Sequence, residues 1–359
     1  MITIGVCITP HGFGHAARCC AVMEALSELV DVHFEIITTV PAWFFYASLP
    51  GCSFTLYPVF CDIGLVQQNS LEEDFDNTLQ LLAGLYPFPE NLVDMVATVV
   101  SSCRMVICDV AVLGIAAARK AGIPSVLLEN FTWDWIYEQY LPDYPAFDQF
   151  IRYLGDLYAQ ADLHLQARPV CVENNKALQL DPLARKPRQS REQVRHGLQI
   201  SDTDELVLVT MGGIAGHTLP LDAMEKMEQC FVLVGQEVEA MVVRKNIRLL
   251  PSDSGLYHPD LVVACDAVVG KVGYSTLAEV YQSATPFGYI PRPSFAESSV
   301  LTEFIENNMV GRSISFQQFT GGDWLDVVPD LCRMHRHRQQ RSNGAAMAAQ
   351  ILIEAFSMQ

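Results

Sequence analysis

The segment 270–279 (GKVGYSTLAE) combines a glycine turn, a lysine and two hydroxyl residues at the start of a predicted helix. Backbone N–H groups at such a helix start point toward an anion, and Lys271 adds a point charge, so the segment suits a pyrophosphate. Glu279 lies one helical turn beyond Ser275, where its carboxylate could accept both hydroxyls of a ribose. A capped helix with a surface glutamate is the alternative. The candidate binding residues here are Lys271, Gly273, Tyr274, Ser275, Thr276 and Glu279.

Two further glycine loops follow predicted strands. Gly12 and Gly14 stand in TPHGFGH, between a strand and a helix, and His15 begins that helix. Paired glycines let a backbone approach a ligand closely, and we expect His15 to act as a general base or a phosphate contact. Gly212 and Gly213 repeat the design in the second half of the chain. Ordinary tight turns are the alternative, and neither loop is the GxGxxG of nicotinamide sites.

Other charged residues stand at predicted strand ends. The loop RPSFAE offers Arg292 and Glu297 as ligand contacts. Asp134 lies between two tryptophans in NFTWDW, which is either a sugar-stacking platform or aromatic packing at a helix start. Asp109 ends another strand. We expect Asp109 or Asp134 to substitute for His15 if the histidine is not the base.

The elements that must position these loops alternate between strand and helix. Apolar runs at 2–9, 105–108, 206–210 and 267–269 predict buried parallel strands, each followed by a glycine or a turn and then a helical pattern. The sequence therefore predicts an α/β fold of two doubly wound halves, with ligands at the carboxyl ends of the strands. We predict domains at 1–180 and 181–340, and a last helix in 341–359 that crosses back to the first domain.

Composition sets the broad class. The 359 residues are 50% hydrophobic, which is enough for two cores, and the net charge of −18 disfavours nucleic acid as a partner. The cysteines number 11, without CxxC pairs or zinc spacing, so we expect a reduced, cytoplasmic protein without a metal site. No apolar run approaches membrane-spanning length, and stable membrane insertion is not expected. The oligomeric state stays open.

Four runs carry a family resemblance: HGFGHAAR, NFTWDWIYEQY, KVGYSTLAE and RPSFAE. The matches as a whole spread from His11 to Asp323. Together they resemble the N-terminal, glycosyltransferase-like region of plant-type L-arabinokinases and their free-standing bacterial relatives. KVGYSTLAE is also similar, more distantly, to the donor motif of the peptidoglycan N-acetylglucosaminyltransferases. The resemblance implies a GT-B fold, two Rossmann-like domains facing across a cleft, with a nucleotide-diphosphate-sugar donor, no cofactor and no metal requirement. It places Glu279 at the ribose-binding acid and Glu297 near the donor sugar.

The chain departs from arabinokinases in one respect. It carries no kinase half and no GK[ST] phosphate loop, so sugar-1-kinase activity is not expected. The favoured hypothesis is a metal-independent glycosyltransferase that uses a UDP-sugar and an unidentified acceptor. A nucleotide-sugar hydrolase would share every donor-site residue, and a non-catalytic nucleotide-sugar-binding protein is the third hypothesis.

Overall fold

The computed structural model describes residues 1–69, 72–212, 219–336 and 341–358. The chain divides into two compact units, each built from a mainly parallel sheet with flanking helices. The first unit contains Met1–Val66, Glu73–Ala184 and Asn343–Gln359; the second contains Gln67–Glu72 and Arg185–Ser342. The α/β class predicted from the sequence is confirmed.

The elements of the described residues are as follows. The strands are β1 (Ile2–Ile8), β2 (Val32–Ile37), β3 (Ser53–Tyr57), β4 (Gln67–Asn69), β5 (Glu72–Glu73), β6 (Val106–Asp109), β7 (Ser125–Glu129), β8 (Leu163–Ala167), β9 (Leu178–Leu180), β10 (Leu206–Thr210), β11 (Cys230–Val234), β12 (Val242–Arg244), β13 (Ile247–Leu250), β14 (Ala267–Lys271), β15 (Phe287–Ile290) and β16 (Gly311–Ser313). The helices are α1 (Gly14–Ser27), α2 (Ala42–Ser48), α3 (Phe75–Leu85), α4 (Glu90–Val100), α5 (Val112–Ala121), α6 (Trp133–Glu138), α7 (Asp148–Tyr158), α8 (Arg191–Gly197), α9 (Leu221–Met224), α10 (His258–Ala264), α11 (Tyr274–Ser283), α12 (Glu297–Asn308), α13 (Phe316–Gly321), α14 (Val328–Arg333) and α15 (Gly344–Ala355).

The sheet of the first unit has the order β3-β2-β1-β6-β7-β8-β9, and its strand pairs are parallel. The central strands β1, β6 and β7 are almost wholly buried because helices cover both faces of such a sheet. The last helix, α15, packs against α1 within this unit. The carboxyl ends of β1, β6 and β7 therefore lie side by side at one edge of the sheet.

A small residue sets how closely one covering helix lies on this sheet. A Cβ on Gly114 of α5 would come within 2.6 Å of both Cys7 Cβ and Cys108 Sγ, so only glycine fits here. These two cysteines are neighbours in the register of β1 and β6. The close approach fixes α5 over the strand that ends at Asp109.

The second unit repeats the plan with the order β12-β13-β11-β10-β14-β15-β16, in which β12 is antiparallel and the other pairs are parallel. Its core packs apolar strand residues such as Phe231 against the fully buried Trp324. Strands β10 and β14 are paired neighbours, with Thr210 opposite Gly270. The loops that follow these two strands therefore emerge next to each other.

Candidate functional site

The first glycine loop places His15 in the first turn of α1. Gly12 has φ of +70°, a left-handed conformation that favours glycine, and no heavy atom lies within 4 Å of where its Cβ would stand. The turn reverses the chain after β1, and α1 begins at Gly14. His15 is 7% exposed and therefore holds a defined position at the carboxyl end of β1.

His15 contacts a buried ion pair. Its Nδ1 lies 2.7 Å from Asp109 Oδ1 at the end of β6. Arg18, one turn further along α1, donates from Nη2 to Asp109 Oδ1 at 2.6 Å and from Nε to Oδ2 at 2.8 Å. The guanidinium also donates to Asn130 Oδ1 at 2.6 Å. Arg18 and Asp109 are 1% and 0% exposed, so this bidentate pair is removed from solvent.

The charges around His15 determine its tautomer. Burial alone would raise the pKa of Asp109, but the Arg18 guanidinium and the His15 contact outweigh burial and leave the pKa below its ordinary value. Asp109 is thus a carboxylate, which accepts a hydrogen bond, so Nδ1 of His15 carries the proton that it donates. In the neutral imidazole, Nε2 is then the ring nitrogen with a lone pair, as a general base requires.

This geometry corrects one expectation. Asp109 was a candidate substitute for the base, but its carboxylate is fully buried and engaged by Arg18 and His15. A substrate hydroxyl has no route to it. Asp109 instead orients the His15 ring.

Aromatic rings surround His15 on one side. The Phe131 ring lies 5.7 Å from the imidazole centroid and Trp133 lies 6.3 Å from it. Trp133 is fully buried and its indole donates to Asp62 Oδ2 at 2.7 Å, while its ring meets His11 edge-on at 5.1 Å. The rings give the imidazole apolar surroundings, which strengthens its interaction with Asp109.

Asp134, the other candidate for the base, lies elsewhere in the first unit. It stands in the first turn of α6 and lines a pocket together with Trp135 and Glu129. Phe131 lines this pocket, but His15 does not. The structure therefore does not bring Asp134 into the His15–Asp109 group.

In the second unit, the structure brings Gly212 and Lys271 together. Gly212 follows β10 with φ of +72°, and a Cβ there would lie 2.6 Å from Lys271 Cε and 3.2 Å from Nζ. The end of the Lys271 side chain thus occupies the space beside Gly212, at the paired ends of β10 and β14. Gly213, the other glycine of this loop, lies outside the described residues.

The helix start that follows β14 has no side-chain cap. Gly273 is the N-cap of α11 and has no side-chain capping bond. Tyr274 and Thr276 are buried, whereas Ser275 is half-buried. Because the first N–H groups of a helix need acceptors, the start of α11 next to Lys271 suits an anionic group.

Glu279 has two protein partners within the second unit. Arg185 Nε lies 2.9 Å from Oε1 and His258 Nδ1 lies 2.6 Å from Oε2, and the side chain is 4% exposed. Burial raises the pKa of Glu279, but Arg185 and His258 outweigh it and lower the pKa below its ordinary value. The sequence pattern gave no sign of either partner. A ribose would have to share oxygens that already accept these bonds.

Arg292 and Glu297 are also buried, each 4% exposed. The Arg292 guanidinium lies 4.1 Å above the Phe295 ring, and its backbone N–H donates to Ser298 Oγ at 2.8 Å. The sequence predicts that this loop presents both charges to a ligand. In the described structure both side chains are buried, and a role for them in binding stays a prediction.

The chain is similar in sequence to one curated protein. No family model matches the chain. L-arabinokinase of Arabidopsis thaliana is 26% identical over 364 residues, which covers 97% of this chain and 34% of that protein. The chain thus spans about a third of the length of this curated relative. The resemblance seen in the sequence motifs is confirmed.

Solved glycosyltransferases match along the whole chain. The glycotransferase of kitacinnamycin aligns with a TM-score of 0.64 at 17% identity, covering 99% of this chain and 98% of that one. A Phytolacca americana UGT2, solved with UDP-2-fluoro-glucose and pterostilbene, aligns with a TM-score of 0.59 at 13% identity. The alignment covers 99% of this chain and 100% of that one. MurG of Acinetobacter baumannii aligns with a TM-score of 0.53 at 14% identity, and the alignment covers all of both chains.

The chain has the GT-B fold.

Within this fold, the two groups of candidate residues occupy separate units. The histidine and its ion pair belong to the first unit, and Gly212, Lys271 and the start of α11 belong to the second. Among the described residues, no group of three His, Cys, Asp or Glu side chains is placed to hold a metal ion. In the same part of the chain, none of the helices has the length and apolar character needed to span a membrane.

The two contacts of Glu279 in this GT-B chain lead to a testable prediction. Glu279→Ala leaves Arg185 and His258 without their acceptor, and we expect it to lower the free energy of unfolding by about 1.5–3 kcal/mol in urea titrations. A ribose contact would add a loss of affinity for UDP of roughly tenfold or more, and a smaller loss for 2′-deoxy-UDP. Equal losses for the two nucleotides would show that Glu279 has only the structural role.

Proposed function

We propose that this protein is a glycosyltransferase that transfers a sugar from a nucleotide-diphosphate-sugar to a hydroxyl acceptor. The observation that carries the proposal is the His15–Asp109 contact of 2.7 Å, which leaves Nε2 as the proton-accepting nitrogen of a buried histidine. The GT-B fold and the likeness to solved glycosyltransferases support it. A UDP-sugar is the favoured donor, since the Phytolacca americana relative was solved with UDP-2-fluoro-glucose.

In the proposed reaction, His15 Nε2 accepts the proton of the acceptor hydroxyl as its oxygen attacks the anomeric carbon. The bond to the nucleotide diphosphate breaks, and the diphosphate leaves with inversion at that carbon. Asp109 accepts a hydrogen bond from Nδ1 throughout and stabilises the imidazolium that forms. Arg18 holds both Asp109 oxygens, so the carboxylate keeps its orientation during the proton transfer.

The second unit supplies the donor contacts in this proposal. Lys271, the Gly212 backbone and the N-terminal end of α11 together offer positive potential to a diphosphate. Such groups neutralise the leaving group without a divalent cation.

The decisive test screens nucleotide-sugars for binding by saturation-transfer NMR and then assays turnover with and without candidate hydroxyl acceptors. Acceptor-dependent glycoside formation supports transfer. Free sugar released at the same rate without an acceptor identifies a nucleotide-sugar hydrolase, which would use the same donor residues with water. Tight binding without either product identifies a non-catalytic binding protein. The kinase activity of the longer arabinokinase relative is not part of the proposal.

We predict that turnover is independent of added divalent metal. Lys271 and the α11 start provide the compensating charge, so treatment with EDTA should leave the rate within about twofold of the untreated rate. The measurement is the initial rate before and after chelation, followed by addition of Mg²⁺ or Mn²⁺. A rate that EDTA abolishes and either cation restores would contradict this mechanism.

A further inference from the structure

A pocket of about 330 Å³ lies in the first unit and is not used by the proposed reaction. It is formed by β7 and β8, the start of α6, the end of α7 and the segment that follows β8. Its volume is at the small end of the range for ligand pockets, which suits a ligand of monosaccharide size. Its polar lining residues are Glu129, Asp134, Glu138, His164, Gln166 and Asn174.

One wall of the pocket is fixed by an internal hydrogen-bond network. Gln166 donates from Nε2 to Glu129 Oε1 at 2.7 Å and to the Val172 carbonyl at 2.8 Å. Its Oε1 accepts from the Asn174 backbone at 2.8 Å and from Gln179 at 2.7 Å. Since the buried amide is saturated by four partners, this wall is rigid before any ligand binds.

Two carboxylate oxygens of the lining residues have no hydrogen-bond donor among the described residues. The first is the buried Oδ1 of Asp134. Burial raises the pKa of this carboxyl, and hydrogen bonds from Thr132 and the Trp135 backbone offset part of that rise. His164 Nε2 and Gln166 Nε2 both contact Oε1 of Glu129, which leaves Oε2 as an acceptor. A buried acceptor without a donor costs free energy, which a ligand hydroxyl would recover.

The charges of the lining residues restrict the ligand. Three lining residues are carboxylates, and none of the described lining residues is lysine or arginine. A phosphate or nucleotide would therefore be repelled. Hydroxyl donors suit the carboxylates, and the Trp135 side chain in the lining offers an apolar surface for C–H groups. A neutral sugar combines both features.

We propose that this pocket, built around Asp134, Glu129 and Trp135, binds a neutral monosaccharide or one sugar unit of a larger glycan. The site is distinct from the general base, because Phe131 lines the pocket and contacts the His15 ring while His15 is not part of the lining. The proposal does not rest on the transferase reaction, since sugar binding here requires no turnover and no nucleotide.

The test is a titration of the full chain with D-glucose, D-galactose and D-xylose, followed by ligand-observed NMR and calorimetry. We expect saturable binding of at least one sugar to the wild type. Asp134→Asn and Trp135→Ala should each weaken that binding by about tenfold or more, because the first replaces a charged acceptor by a weaker neutral one and the second removes the apolar surface. Circular dichroism confirms that each variant is folded, and two variants keep the test valid if one is not.

Two further variants serve as controls. Asp143→Asn removes an exposed carboxylate on the turn after α6, outside the pocket lining, and should bind as the wild type does. His15→Ala should also retain sugar binding, so a failure of the proposed transferase reaction leaves this result unchanged. Absence of saturable binding of all three sugars to the wild type, or equal affinities in the wild type and both pocket variants, would overturn the proposal.

Discussion

Replacement of His15 by alanine is expected to lower turnover of the nucleotide-sugar at least about 100-fold while donor affinity changes little. The imidazole supplies the proton-accepting Nε2, and general-base catalysis contributes factors of this size. The donor contacts belong to other residues, Gly212 and Lys271 among them, so binding should survive. Steady-state rates and calorimetric affinities for the same donor measure the two effects separately.

Two variants make the His15 result interpretable. His15→Asn retains a donor that can reach Asp109 but has no basic nitrogen, so it should lose turnover like the alanine variant while folding normally. His196→Ala removes an exposed histidine at the end of α8 and should turn over at the wild-type rate. Wild-type turnover by the His15→Asn variant would eliminate the histidine as the base.

Replacement of Asp109 by asparagine is expected to lower the free energy of unfolding by about 3–5 kcal/mol at neutral pH. The change leaves the Arg18 guanidinium, 1% exposed, without its counter-charge, and breaking a buried pair by removing one partner costs about this much. Urea unfolding monitored by fluorescence gives the difference. As a control, Asp148→Asn breaks the solvent-exposed Asp148–Arg152 pair and should cost less than about 1 kcal/mol.

The difference in the free energy of unfolding between the wild type and Asp109→Asn should also depend on pH. Because the pKa of Asp109 is lower in the folded chain than in the unfolded one, its ion pair contributes fully above the ordinary carboxyl pKa. The contribution is lost as the pH falls through the depressed folded pKa. The stability gap between wild type and Asp109→Asn should therefore narrow on acidification below about pH 4. If the difference in stability stays constant below about pH 4, the destabilisation by Asp109→Asn comes from altered packing and not from the lost ion pair.

The central strands could be predicted from the sequence because they are short apolar runs that end in glycine or a turn. The predicted run 206–210 coincides with β10, and the run 2–9 contains β1. Strand β8 is absent from the prediction although LHLQA alternates apolar and polar residues, which is itself a strand pattern. Its polar residues His164 and Gln166 form the pocket network, so the missed strand is the one that builds the second site.

The candidate site could be predicted only in part, because sequence motifs show residues that are close along the chain. The loop that holds His15 was found, but its partner Asp109 lies on another strand and was interpreted as a rival base. Arg18 stands in the quoted motif, yet its bond to Asp109 depends on the pairing of β1 with β6. Arg185 and His258, which hold Glu279, come from two further parts of the chain. Contacts of this kind depend on how the strands and helices are arranged in the fold, which short sequence motifs do not show.

The return of the chain to its first unit has a consequence for how the protein is made. Almost all of the second unit, Arg185–Ser342, is synthesised before α15, which packs against α1. At a translation rate of about 5–20 residues per second, roughly 16–60 seconds separate the synthesis of α1 from that of α15. The second unit is thus synthesised before α1 can contact this partner. Removal of α15 would take away the helix that packs against α1, which carries His15 and Arg18.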